Sequence, residues 1–235
     1  IVFHALIFPA MLMGHEGYVL PDNVPSNEFL NLEGNKLSTS RNYAVWLEEY
    51  LQTFEADSLR YSLAANSPET KDTDFSWREF QTRHNSELAD ILGNFINRTA
   101  TFIKKYFDNT IPPQSNLDEL DWEMIREIEQ IAGKVGKLLD EFKLREAIRQ
   151  MMDFARFANK YFNDQAPWKT RKDDPEKCAT TLNICSQVVR AMAVIFEPVL
   201  PFTTAKIWQA LNLSGTVEEM KWDDAGKKAL PEGHK

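Results

Sequence analysis

Four clusters of residues in this chain have types and spacings that suit chemistry. Lys36-Leu37-Ser38-Thr39-Ser40-Arg41 gathers two cations and three hydroxyls in one polar string. Charge-assisted N–H and O–H donors in a turn can wrap a polyphosphate. In a reaction they would stabilise negative charge building on a leaving pyrophosphate. The same string also reads as a solvated Ser/Thr turn. Asn94 and Arg98 stand one helical turn apart, off the neighbouring apolar stripe. An amide beside a guanidinium can bond base edges, or it can simply face water. Gln165-Ala166-Pro167-Trp168 is followed by Lys169, Arg171 and Lys172. An indole after a proline, at a helix end and beside three cations, can hold an unstacked base; it can equally fill the end of a helix bundle. Phe3, His4 and Phe8 could line an apolar pocket with a polar tip, or pack against a further domain.

The elements that must position these groups have two textures. In the first, residues 1 to about 43 are mixed. Ile1-Val2-Phe3 reads as the end of a strand, Ala5 to Met13 as a short apolar helix closed by Gly14, and 17–27 as loop. Glu28 to Leu32 reads as a short strand, with a turn at Gly34-Asn35 and a loop beyond. A segment that begins within a strand cannot close its own sheet. Residues 1–43 are therefore expected to be the tail of a larger α/β domain, in keeping with the lack of an initiator Met.

From Ala44 the pattern is helical. Short amphipathic pieces cover 46–52 and 57–65, and one long helix is predicted from Phe80 to Phe107 with Leu88, Ile91, Leu92, Phe95, Thr99, Phe102, Ile103 and Tyr106 on one stripe. The run from Met124 to Phe142 keeps 3/4 spacing, and a third helix from Leu144 to Phe162 must stop before Pro167. Asp174-Pro175-Glu176 opens a fourth, with a cap, a first-turn proline and an acid at the positive dipole end. It runs to about Phe196, and a fifth holds Phe202, Ala205, Trp208 and Leu211. The last twenty residues are polar with little pattern. Antiparallel helices with short loops make a bundle.

Composition sets the bounds. The 235 residues are 43% hydrophobic and 11% aromatic, enough for a real core in one large or two small domains. No unbroken apolar run is long enough to suggest a membrane span, and the apolar start lacks a basic leader and a cleavage site. Cys178 and Cys185 share a helix face as buried thiols, and without Cys-x-x-Cys or His-x-x-x-His spacing no metal site is expected. A net charge of −8 argues against a nucleic-acid binder in bulk, although a local basic patch suffices for one.

Together these strings resemble, in order and spacing, the C-terminal portion of the methionyl-tRNA synthetase family of class I aminoacyl-tRNA synthetases. Lys36-Leu37-Ser38-Thr39-Ser40 resembles the family's KMSKS loop, Ala56-Asp57-Ser58-Leu59-Arg60-Tyr61 its stem-contact region, and Asn94, Arg98, Pro167 and Trp168 its anticodon readers. The stretch Phe3-His4-Ala5-Leu6-Ile7-Phe8 resembles part of its methionine pocket. Thr39 stands where the family's second lysine would be, keeping a donor and dropping a charge. Phe8 stands where the family often has Trp.

The resemblance implies a mainly α fold. Residues 1–43 would be a short α/β remnant of a Rossmann-type catalytic domain, 44–79 the stem-contact connection, and 80–235 the anticodon-binding bundle. It implies ATP-dependent attachment of methionine to its tRNA in a cytoplasmic enzyme that uses ATP with Mg2+ when intact, Lys36, Ser38, Thr39 and Ser40 forming its ATP/pyrophosphate loop. Zinc is implied only for a part of the family upstream of Ile1. Partners would be methionine tRNA, methionine and ATP, with no membrane and a monomeric fragment that is inactive alone. Two alternatives stand beside it: a fragment of another class I synthetase, and a helical protein–protein module without RNA binding.

Overall fold

The computed structural model describes residues 2–235. Val2–Ile7 is a wide-turned π-helical stretch that runs directly into α1, Phe8–Met13. Val2 and Phe3 are therefore helical rather than a strand end, while Ile1 lies outside the described residues. Gly14 ends the helix as expected, its amide bonding the Ala10 and Met11 carbonyls.

β1 (Leu30–Leu32) and β2 (Asn35–Lys36) form a hairpin, and β3 (Thr73–Phe75) lies parallel to β1 on its other side. The connecting residues Glu33 and Gly34 both have positive φ, 47° and 75°. That is the backbone a two-residue hairpin turn of matching twist requires. Glu33 is fixed there because its amide bonds the Phe75 carbonyl and its carboxylate accepts from the Trp77 amide. β1, the short strand expected at Glu28 to Leu32, thus finds both partners within this chain. A small core of Leu32, Tyr50, Leu59, Phe75 and Phe80 seals the sheet against α2 (Leu47–Thr53) and α3 (Ala56–Ala65).

The predicted long helix is present but not uniform. Ser76 caps α4 (Trp77–Arg83), a π-helical stretch continues it at His84–Gly93, and α5 completes it as Asn94–Tyr106. The joints keep right-handed helical dihedrals, so the rod is continuous. Wide turns change the angular register of the residues beyond them.

Asp118 opens α6 (Glu119–Asp140) with a capping box completed by Asp121. α7 (Leu144–Gln165) comes next. Phe142, assigned from spacing to the apolar stripe, instead lies in the connection with φ 58° and an exposed ring. α8 (Pro167–Asp173) and α9 (Pro175–Phe196) complete the bundle, and α10 (Pro201–Ala210) packs on α9. In α10 the buried side chains are Thr204, Ile207 and Trp208, and Phe202 points outward.

Direction matters here. The start of α6 meets the end of α7 through Asp121 and Tyr161, so those two helices are antiparallel. Ile91 bonds Asn159 and Arg98 bonds Asn163, so the rod carrying α5 runs parallel to α7. The C-terminal halves of α5 and α7 therefore reach the same end of the bundle. α9 is buried from Cys178 to Phe196. It is long and apolar enough by composition to cross a membrane, but it is buried over its whole apolar window, as a helix apolar on all sides must be in a packed bundle.

The patternless tail is an ordered strap. Trp222 Nε1 donates to the Ala132 carbonyl at 2.7 Å, over Gly136, where a Cβ would strike the indole. Gln187 and Arg190 on α9 bond the carbonyls of Leu230 and Asp224, and Val217, Ala225 and Leu230 join the main core. These ties run from buried polar side chains to backbone, and hydrophobic periodicity carries no trace of them.

Candidate nucleic-acid interface

α7 cannot pass Pro167, which lacks the amide that a continuing helix needs. Ala166 takes a left-handed conformation, φ 43° and ψ 58°, and reverses the chain. Pro167 then starts α8, where a missing N–H costs nothing. This corner leaves Trp168 39% exposed at the end of the bundle. Its ring is stacked on Phe162, centroids 6.2 Å apart and planes 28° apart.

Arg98 reaches the same spot from α5. Its guanidinium carbon lies 4.2 Å from the Phe162 centroid and 5.7 Å from that of Trp168, and Nη2 donates to Asn163 Oδ1 at 2.9 Å. Partial burial draws the guanidinium pKa down from its usual value, but an arginine stays charged at neutral pH. Asn94 is exposed one turn earlier on α5, with its side chain free of any hydrogen bond among the described residues. An unengaged amide, a fixed guanidinium and an outward indole are the groups that read and stack unpaired bases.

The aromatic surface continues. Phe102 meets Phe162 edge-on at 5.6 Å and Tyr106 at 5.3 Å. The Arg171 guanidinium covers Tyr106 at 4.5 Å and Lys105 approaches the same ring at 5.4 Å. Lys104, Lys169 and Lys172 are exposed around it. Cations beside aromatic faces give a local basic patch on a chain of net charge −8. Sequence reasoning placed Phe162 only in the core stripe and missed that it is the shelf under both Arg98 and Trp168. It also missed Asn163. No spacing signal marks either, because both depend on α5 lying alongside α7.

Beneath the corner is a polar cluster. Asp121, fully buried, accepts from Tyr161 Oη at 2.7 Å, Gln165 Nε2 at 3.1 Å, the Asp118 amide at 2.9 Å and the Lys177 ammonium. Asp118 also accepts from Gln165 and Lys177. Burial pushes the Asp118 carboxyl up, but the Lys177 ammonium and the Asp121 and Gln165 amides outweigh it and hold the pKa at about 2, below the ordinary 3.8. A depressed carboxyl contributes stability that is present above its unfolded pKa and lost as pH falls through the folded one. Wild-type urea midpoints should therefore drop more between pH 4 and pH 2 than those of Asp118→Asn; parallel profiles would refute the ion-paired state.

The other two clusters are less complete. Lys36 lies at the end of β2 with its ammonium 5.0 Å over the Phe29 ring. Ser38 bridges Tyr43 through both backbone bonds, and Ser38 and Ser40 share a hydroxyl contact at 3.2 Å. Thr39, Ser40 and Arg41 are exposed at the tip. Phe3, His4 and Phe8 are all exposed on the N-terminal helix and enclose no pocket among the described residues. The strand-end placement expected for Phe3 does not hold, whereas Phe8 lies in the short apolar helix expected there.

The family described as tRNA synthetases class I (M) matches residues 1–100, and the anticodon binding domain of methionyl tRNA ligase matches residues 111–235. Over the whole chain, the sequence is 51% identical to a methionine–tRNA ligase of Phocaeicola vulgatus and 49% identical to one of Salinibacter ruber. It covers 34% and 35% of those proteins, so the chain spans about a third of the length of the curated relatives it matches. A crystal structure of Mycobacterium tuberculosis methionyl-tRNA synthetase bound by methionyl-adenylate superposes with a TM-score of 0.90 at 28% identity, over 99% of this chain and 46% of that one.

Proposed function

The chain belongs to the methionyl-tRNA ligase family, and from that premise we propose that it binds the anticodon loop of a methionine tRNA at the bundle end where Asn94, Arg98 and Trp168 lie. The observation that carries this is the convergence of Arg98 and Trp168 on Phe162, from helices far apart in sequence. Trp168 stacks on one base, while Arg98 and Asn94 bond base edges; Pro167 sets the angle of the indole. Lys104, Lys105, Lys169, Arg171 and Lys172 contact phosphates.

The whole protein, in this reading, is a cytoplasmic methionine–tRNA ligase. Methionine attacks the α-phosphate of ATP to give methionyl-adenylate and pyrophosphate, and the acyl group then passes to the tRNA 3′ end. Lys36, Ser38, Thr39 and Ser40 hold phosphates in the first step, and a short exposed turn closed by the Ser38–Tyr43 backbone pair suits closing and release. Phe3, His4 and Phe8 are exposed here. They can form a methionine pocket only with walls from elsewhere in the enzyme. No three His, Cys, Asp or Glu side chains converge as a metal site among the described residues. In this reading ATP acts with Mg2+ in the whole enzyme. The 44–79 segment, as the stem-contact connection, lies between loop and bundle, and the chain acts as a monomer.

The test is binding of this chain to methionine tRNA and to a copy altered only in the anticodon. The altered copy should bind about tenfold more weakly or worse, at ~1–3 kcal/mol per misread base. Both affinities should fall steeply with salt as phosphate contacts release counterions. Equal binding to the two RNAs, or affinity indifferent to salt, would sink the proposal.

A further inference from the structure

The anticodon-binding reading leaves open what holds Trp168 in place. α8 has seven residues, too few to hold its own conformation in water. Phe162 and Arg98 support the ring itself, and the corner that precedes it fixes where the chain delivers the indole to them. Gln165 is the last residue of α7 before left-handed Ala166, Pro167 and Trp168. Its amide donates to both Asp118 and Asp121. Pro167 is fixed from the other side, its carbonyl accepting from the Cys178 thiol at 3.6 Å.

Asp121 is where these ties meet. A carboxylate offers about four acceptor positions, and Asp121 has four donors: Tyr161 and Gln165 near the end of α7, Lys177 in the first turn of α9, and the Asp118 amide before α6. Three helices are thus pinned to one buried charge directly under the corner. Stability alone does not call for this arrangement, because a well-packed apolar side chain in place of a buried ion pair is often neutral or better. A fully bonded buried charge tolerates only one geometry, since any displacement strands it without a partner.

Resting on the anticodon-binding reading, we infer that Asp121 is a positioning residue for RNA recognition: through Gln165 it sets the place and angle of Trp168. It touches no RNA itself. Its effect on binding must therefore pass through the indole.

A double-mutant cycle with a spectroscopic readout tests this on the chain as described. Asp121→Asn keeps the shape but turns one acceptor oxygen into a donating NH2, so either Tyr161 and Gln165 or Lys177 and the Asp118 amide lose their acceptor. Gln165→Met leaves the Asp121–Lys177 pair intact and removes only the tie to the corner, so it serves if the first variant does not fold. Each should weaken methionine-tRNA binding about tenfold in the wild-type background and by less than about twofold when Trp168→Ala is already present. In protein labelled with 5-fluorotryptophan, the Trp168 fluorine resonance, assigned by its absence in Trp168→Phe, should shift or broaden in both variants without RNA. Equal losses in both backgrounds would mean a merely structural role and overturn the inference. So would an unmoved Trp168 resonance. If Trp168→Ala alone leaves affinity unchanged, the anticodon reading fails instead, and the fluorine signal by itself decides whether Asp121 positions the ring.

Discussion

Trp168→Ala is expected to cut affinity for methionine tRNA by about tenfold to a hundredfold while leaving the helical content of the chain unchanged. Base–aromatic stacking is worth ~1–3 kcal/mol by alanine replacement, and 1.4 kcal/mol is a factor of ten. A loss at the bottom of that range is not expected, because the ring is organised before RNA arrives. It is already stacked on Phe162 and edged by the Arg98 guanidinium, so little side-chain freedom remains to be lost on binding. Its exposed position explains why the fold should survive: the buried neighbours Phe162 and Pro167 stay in place. Trp168→Phe should recover part of the affinity, since a smaller π-face still stacks. Fluorescence anisotropy of labelled tRNA measures the binding, and far-ultraviolet circular dichroism checks the fold. An alanine variant that binds as tightly as wild type would remove Trp168 from the interface.

The long helices were legible because their apolar residues recur at three and four. Met124, Ile128, Ile131 and Val135 of α6, and Ile148, Met151, Ala155, Ala158 and Phe162 of α7, are buried as that spacing requires. The N-terminal cap of α9 was equally plain, and Asp174 does accept from the Lys177 amide. The failures have physical causes. The π-helical His84–Gly93 stretch hides inside a sequence whose Leu88, Ile91, Leu92 and Phe95 also fit the ordinary period. Val2 and Phe3 have strand-forming side chains, yet a short apolar run does not distinguish strand from helix. Phe142 continued a stripe whose helix had already ended. The tail packs through backbone groups held by Gln187 and Arg190.

The candidate site was legible as residue types and not as an arrangement. Arg98 and Trp168 stood out for their chemistry. Their meeting depends on α5 and α7 pointing the same way, a property of the bundle's connectivity rather than of any local string. The same holds for Asp121, which in sequence is one acid among thirty-five Asp and Glu and in space sits under the corner it helps to fix.

Phe162 joins the fold to the proposed interface in one side chain, and its replacement should show both effects separately. The ring is fully buried, with Phe95 at 6.4 Å, Phe102 at 5.6 Å, Trp168 at 6.2 Å and the Arg98 guanidinium at 4.2 Å. Phe162→Ala removes apolar contact and leaves a cavity at the meeting of α5 and α7, at a cost of about 3–5 kcal/mol. The urea midpoint should fall accordingly, and RNA binding should be lost with it, because the shelf beneath both readers is gone. That variant alone cannot separate unfolding from misplacement. Phe162→Leu can. It keeps most of the apolar volume, so stability should fall by only about 1–1.5 kcal/mol, but it removes the flat π-face on which Arg98 and Trp168 rest. The leucine variant should remain folded by urea titration and still bind methionine tRNA roughly tenfold more weakly, on the order of one stacking contact. If it binds as wild type does, the shelf is packing alone, and Arg98 and Trp168 are held by their other contacts, Asn163 and the Pro167 corner.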